Sequence, residues 1–133
     1  MAPVKMGFVG LGYITYHAHL PPFKAMADAG EVVFQAFCDT DPDTANERAK
    51  EFGANAVYTD HHEMFDKEEL DGVYLCIPPT LHTDVETVAA EKGVAIFIEK
   101  PQTLDIAQAA AFNKAISAEG VLSQVGFMSR YYP

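Results

Sequence analysis

The sequence has no tryptophan and only two cysteines in 133 residues, and its nine lysines and arginines face nineteen aspartates and glutamates. The cysteines, Cys38 and Cys76, lie in apolar runs without a CxxC spacing. That pattern excludes a disulfide-rich secreted scaffold and a thiolate metal site, and it reads as reduced, buried thiols in a cytoplasm. A formal charge of −10 repels a polyanionic backbone and an anionic membrane surface, so neither nucleic acid nor membrane is expected as a partner. Long apolar runs are also missing. The stretch behind Met1 to Lys5 is broken by Gly7, Gly10 and Gly12, which makes it neither a signal peptide nor a membrane span. Low-complexity tracts and solenoid repeats are absent too.

What is present is a repeated punctuation: an apolar run of strand length, a helix-length stretch, a glycine, and the next apolar run. At 49% hydrophobic residues the chain can bury one core. The strand candidates are Val4 to Val9, Val32 to Cys38, Ala54 to Tyr58, Gly72 to Ile77, Val94 to Ile98 and Val121 to Gly126. Several are apolar on both faces, as a doubly covered sheet requires. Alternation of strands with helices predicts an α/β fold of the Rossmann type, doubly wound, with a mainly parallel sheet of about six strands and helices on both faces. Gly30, Gly53, Gly93 and Gly120 fall where helices should stop in the left-handed conformation. Asp41 with Pro42, and Asp60 with Glu63, mark helix starts, and Thr80 and Thr103 are read as further caps. After Thr80, residues Leu81, Val85, Val88 and Ala89 form an apolar stripe at helical spacing. Pro21 and Pro22 demand a break in the first helix between Tyr13 and Ala29.

Three places carry chemistry. The first is Gly10-Leu11-Gly12-Tyr13-Ile14-Thr15, directly after the first strand. Gly10 permits a tight turn, and Gly12 lets the backbone approach a pyrophosphate held on the amides and positive end of the next helix. Thr15 stands where a third glycine would let helix and strand pack closely. The second is Asp39 at the end of the second strand, where a carboxylate can accept both hydroxyls of an adenosine ribose and repel a 2′-phosphate; this favours NAD over NADP. A methyltransferase offers a similar turn, but it usually carries an acidic residue just before the first glycine, where this chain has Phe8 and Val9. The third is Glu99-Lys100-Pro101 at the end of the fifth strand, where ligands of an open parallel sheet bind. A lysine beside the positive ring of an oxidised nicotinamide would have its ammonium form disfavoured, which suits it to proton transfer. The remaining histidines suggest less. His61 and His62 are adjacent and on a regular helix would diverge by about 100°, so they read as surface residues rather than an HxxxH metal pair. His17 and His19 also lack helical ligand spacing, and no P-loop, nucleophile elbow or Tyr-x-x-x-Lys pair occurs.

Taken with His19-Leu20-Pro21, Pro78-Pro79-Thr80-Leu81-His82, Gly126-Phe127-Met128 and Arg130-Tyr131, these motifs resemble the glucose–fructose oxidoreductase and inositol dehydrogenase family, Gfo/Idh/MocA. The likeness runs along the whole chain, and Glu99-Lys100-Pro101 is its most specific element. The resemblance implies a dinucleotide domain first and a mostly antiparallel sheet domain second, acting on sugars, polyols and related hydroxy or carbonyl compounds. By the same resemblance Lys100 is the catalytic lysine, Glu99 contacts the ribose near the nicotinamide, and Pro101 follows a cis peptide bond. Ile77, Pro78, Pro79 and His82 would line the cofactor crevice with Gly10, Gly12, Tyr13, Ile14 and Asp39. Thr15, Ile77 and Gln102 depart from the usual pattern.

The expectations are therefore an NAD(P)-binding Rossmann domain over residues 1–125, with 126–133 leading toward a second domain for substrate and oligomerisation that these residues do not contain. Phe127, Tyr131 and Tyr132 would then leave apolar surface open to self-association. The cofactor is NAD, with NADP the alternative, and the longer protein is expected to be a homo-oligomer. The rival reading is a stand-alone NAD-binding sensor without chemistry. About 200 further residues downstream would favour the two-domain enzyme over that module.

Overall fold

A computed structural model describes residues 1–133. Six parallel strands form one sheet in the order β3-β2-β1-β4-β5-β6. The strands are β1 (Val4–Val9), β2 (Val32–Cys38), β3 (Ala56–Tyr58), β4 (Gly72–Leu75), β5 (Ala95–Ile98) and β6 (Ser123–Val125). Five α-helices cross between them: α1 (Leu20–Asp28), α2 (Pro42–Phe52), α3 (His61–Lys67), α4 (Val85–Glu91) and α5 (Ile106–Glu119). The chain winds outward from β1 to β3, then returns to the other side of β1 for β4 to β6. The strand order therefore reverses between β1 and β4, which opens a crevice at the carboxyl ends of those strands.

Burial on both faces holds this sheet in place. Phe8, Phe34 and Phe37 point to one side, where they pack with Leu20, Ala45 and Ala49 from the α1 and α2 side. Val9, Val73, Leu75, Ile96 and Ile98 point to the other, against Met64, Phe65, Val85 and Ala89 of α3 and α4. Phe8 is the hub of the first layer, with the rings of Phe23, Phe34, Phe37 and Tyr74 centred 5.2–5.7 Å from its own. A shallow hollow of about 460 Å³ remains beside β4, β5 and β6, bordered by Met6, Tyr74, Phe97 and Leu122.

Helix ends follow side-chain chemistry. Asp41, Asp60 and Asp105 each accept amides of the first turn behind them, so these helices begin where an orphan N–H finds a carboxylate. Glu63 does not complete a capping box; its carboxylate pairs with Lys67. Gly30, Gly53, Gly93 and Gly120 all adopt positive φ, as expected for helix stops. The expected break at Pro21 and Pro22 is a change of winding: Thr15–His19 is a π-helical turn, and α1 starts immediately after it with the prolines in its first positions.

Two cap assignments need correction. Thr80 does not start a helix. Leu81 closes a turn onto the Pro78 carbonyl, and α4 begins only at Val85. Leu81 is consequently exposed, while Val85 and Ala89 of the expected stripe are buried. Thr103 is likewise not the cap of α5; its hydroxyl accepts the amide of Asp105, which caps instead.

Candidate functional site

The crevice at the strand ends is a cleft of about 1050 Å³. Its floor is the glycine turn. Gly10 sits at φ +85°, and a Cβ there would stand 2.5 Å from the Cys76 carbonyl oxygen, so only glycine permits β1 and the β4 end to approach this closely. Thr15 takes the place of the third glycine without loosening the turn. Its side chain is buried, and its hydroxyl donates to the Gly10 carbonyl at 2.6 Å. Gly12 is different: a Cβ there would meet nothing within 4 Å, so its bare backbone faces open cleft. Tyr13 and Ile14 follow it on the exposed rim.

Asp39 stands across from the turn. One carboxylate oxygen accepts the Leu11 amide at 2.8 Å and the other the Asp41 amide at 3.0 Å. A carboxylate has about four acceptor positions, so those two bonds leave capacity for further donors on the cleft side. Burial, reinforced by the negative charges of Asp39 and Asp60, pushes the Cys38 thiol up to about 12. Cys76, also on the cleft wall, is pushed up to about 11, chiefly by burial and partly by Glu99, against a lowering hydrogen bond with Thr15. Both thiols are therefore protonated and poor nucleophiles at neutral pH.

The far end of the cleft is formed at β5. Glu99 accepts the Lys100 amide at 2.9 Å through one oxygen, and its other oxygen lies 3.1 Å from Nε2 of His19. His19 itself is wedged edge-on against Tyr74 and Phe97. A carboxylate held from both sides is oriented before any ligand arrives. Lys100 is exposed on the cleft lining, and the Lys100–Pro101 peptide is cis. Ile77 and Pro78 form the wall between the glycine turn and β5.

Two expected wall residues are placed elsewhere. Pro79 is not among the residues lining the cleft. His82 is buried behind it, with Nδ1 hydrogen-bonded to Glu86 and Nε2 3.2 Å from the Ile77 carbonyl. Held at both ring nitrogens, His82 ties Glu86 of α4 to the backbone that carries Ile77 and Pro78.

Other residues reach the cleft without a sequence signal. His61, His62 and Thr83 line its rim beside Asp60, and His61 and His62 both meet Asp84. Burial alone would raise the Asp84 carboxyl, but the His61 hydrogen bond and the two imidazoles hold it below its ordinary value. The two histidines do lie at the surface, His62 exposed and His61 half-buried, but their rings do not diverge: the first turn of α3 brings them to 4.3 Å. Only His19 has a local cue, the His-Leu-Pro triplet at the start of α1.

The geometry agrees with what known proteins show. A family model described as oxidoreductase family, NAD-binding Rossmann fold, matches residues 4–127. The scyllo-inositol 2-dehydrogenase (NAD(+)) of Bacillus subtilis is 32% identical over 132 residues, which are 98% of this chain and 37% of that protein. The D-apiose dehydrogenase of Paraburkholderia graminis is 30% identical over 97% of this chain and 33% of its own length. Among solved structures, scyllo-inositol dehydrogenase from Lactobacillus casei with bound NAD(H) and scyllo-inositol superposes with a TM-score of 0.80 at 28% identity, covering 98% of this chain and 38% of that one. A 3-ketoreductase from Actinomadura kijaniata with TDP-benzene and NADP gives a TM-score of 0.84 at 25% identity, covering 98% and 40%. The chain therefore spans well under half the length of the relatives it matches.

Proposed function

Since the chain belongs to the Gfo/Idh/MocA oxidoreductase family, of which it forms the NAD-binding Rossmann fold, we propose that it is the cofactor-holding half of a dehydrogenase acting on a sugar, polyol or related hydroxy or carbonyl compound. The observation that carries this reading is Asp39, tied to the Leu11 amide at the end of β2 with acceptor capacity left toward the cleft. NAD fits the residues present: the open backbone at Gly12 leaves space for a pyrophosphate on the following amides, and Asp39 suits unphosphorylated ribose hydroxyls. NAD is preferred over NADP on this ground.

When bound, the nicotinamide supplies or receives a hydride. The protein does the rest. Gly10 and Thr15 hold the turn, while Gly12, Tyr13 and Ile14 present backbone and rim to the phosphates. Ile77 and Pro78 form an apolar wall for the nicotinamide side. Glu99, oriented by His19, accepts a hydroxyl of the nearer ribose. Lys100 is the candidate catalytic group: its ammonium hydrogen-bonds the reacting oxygen and exchanges the proton that accompanies hydride transfer.

Residues 1–125 are read as the dinucleotide domain and 126–133 as the lead into a second domain for substrate binding and oligomerisation, which fits coverage of only 37% of the B. subtilis relative. The exposed Leu122, Phe127, Met128 and Tyr131 beside the hollow at β6 suit docking of such a domain. A homo-oligomer is the proposed natural state. Two free thiols favour a cytoplasmic location, and no helix is long and apolar enough to cross a membrane. Calorimetric titration with NAD and NADP tests the reading. NAD binding that is lost in Asp39→Ala supports it; absence of binding by both this chain and a longer gene product would sink it.

A further inference from the structure

His61 and His62, at the start of α3, converge on a single carboxylate, Asp84, from the turn before α4. Nε2 of His61 lies 2.8 Å from one Asp84 oxygen and Nε2 of His62 3.1 Å from the other. All three ligand atoms fall within 4.8 Å of one another. We infer that these side chains form a binding site for a divalent transition metal of the zinc class, on the rim of the cleft and separate from the glycine turn.

Two imidazole nitrogens and one carboxylate oxygen are the donor set that borderline dications take up. Tetrahedral ligands about 2.1 Å from a zinc ion stand roughly 3.4 Å from each other, a spacing that side-chain rotation reaches from atoms now within 4.8 Å.

Asp84 points to the same use. It occupies the N-cap of α4, yet its side chain caps no amide of that helix and is committed to the histidines, with Thr83 donating to it as well. Asp41, Asp60 and Asp105 all cap the helices behind them, so the fourth aspartate is the exception. The surroundings are acidic. Asp60 precedes His61, and Asp66 lies one helical turn beyond His62 and is held below its ordinary value by Lys92 and, weakly, by His62. These carboxylates oppose the partial positive charge of the two helix starts. Three protein ligands leave positions open toward the cleft, where His61, His62 and Thr83 form part of the wall. A bound ion would staple α3 to α4.

The test uses chelator-stripped chain titrated with zinc against a chromophoric chelator, in wild type, His61→Gln, His62→Gln and Asp84→Asn, with circular dichroism confirming the fold of each. The expected result is one zinc per chain, an affinity at least tenfold lower in every variant, and a zinc-dependent rise in Tm confined to wild type. Histidine ring resonances of the wild type give a readout independent of the variants. Those of His61 and His62 should move at one equivalent, with His17, His19 and His82 unmoved. No uptake at micromolar zinc, equal uptake by all four proteins, or shifts on His17 and His19 instead would overturn the assignment.

Discussion

The carboxylate of Asp39 accepts the amide of Leu11 at 2.8 Å, joining the end of β2 to the glycine turn after β1. One side chain thus orders the floor of the cleft and offers acceptors to whatever lies on it. Asp39→Ala should weaken NAD binding by at least tenfold, equivalent to about 1.4 kcal/mol or more, and should also lower the unfolding free energy by about 1 kcal/mol through the lost bond to Leu11. Asp39→Asn keeps an acceptor for Leu11 and removes the negative charge, so the preference for NAD over NADP should shrink. Calorimetry with both dinucleotides and urea denaturation separate the two effects; an unchanged NAD affinity in Asp39→Ala would refute the ribose assignment.

The two glycines of the turn should fail in opposite ways. Gly10→Ala forces a Cβ against the Cys76 carbonyl at positive φ, and a loss of about 2–4 kcal/mol in stability is expected. Gly12→Ala meets no protein atom, so its Tm should stay within a few degrees of wild type while NAD binding falls at least tenfold. Thermal melts alongside titrations read both; tight NAD binding by Gly12→Ala would remove the close backbone approach from the argument.

His82 and Glu86 form a fully buried pair, and one Glu86 oxygen has no partner. Glu86→Leu leaves a fully buried ring nitrogen of His82 without its partner and should cost about 1–3 kcal/mol. The double variant His82→Leu with Glu86→Leu should cost less than the sum of the single variants. Denaturant midpoints for the four proteins complete the cycle, and additive costs would show that the pair is not coupled.

Cys38 sets an alkaline limit. Its folded value of about 12 lies above its ordinary 9.0, so the stabilisation is fully present below pH 9 and is lost as pH rises from there through about 12, the unfolded thiol having already released its proton. Folding stability should fall over that window, less so in Cys38→Ala. At pH 7.5 the Cys38 thiol should not react with iodoacetamide until the chain is unfolded; rapid alkylation of Cys38 in the folded chain would contradict its burial.

Much of this was legible in the residues. Strands β1 and β2 are legible to the residue, because their mainly apolar runs, interrupted only by Lys5, Gly7 and Gln35, end just before Gly10 and Asp39. The four glycine stops were legible for a related reason: positive φ is cheap only for glycine, so composition reports conformation directly. Thr80 and Thr103 misled because several hydroxyls and carboxylates near each helix start compete for the same amides, and local sequence does not rank them. At Thr103 the hydroxyl turned out to serve the real cap, Asp105.

The alternation of elements, the glycine turn and the carboxylate at the end of β2 were determined by the sequence alone, since each rests on backbone geometry within a few residues. Only the tertiary structure decided which side chains meet across the cleft: His19 with Glu99, 80 residues apart, His61 and His62 with Asp84, and His82 folded inward onto Glu86. Those contacts depend on where crossover helices set down on the sheet and which rotamers the loops permit. Both are settled by packing many distant residues at once, a quantity that no short stretch of chain encodes.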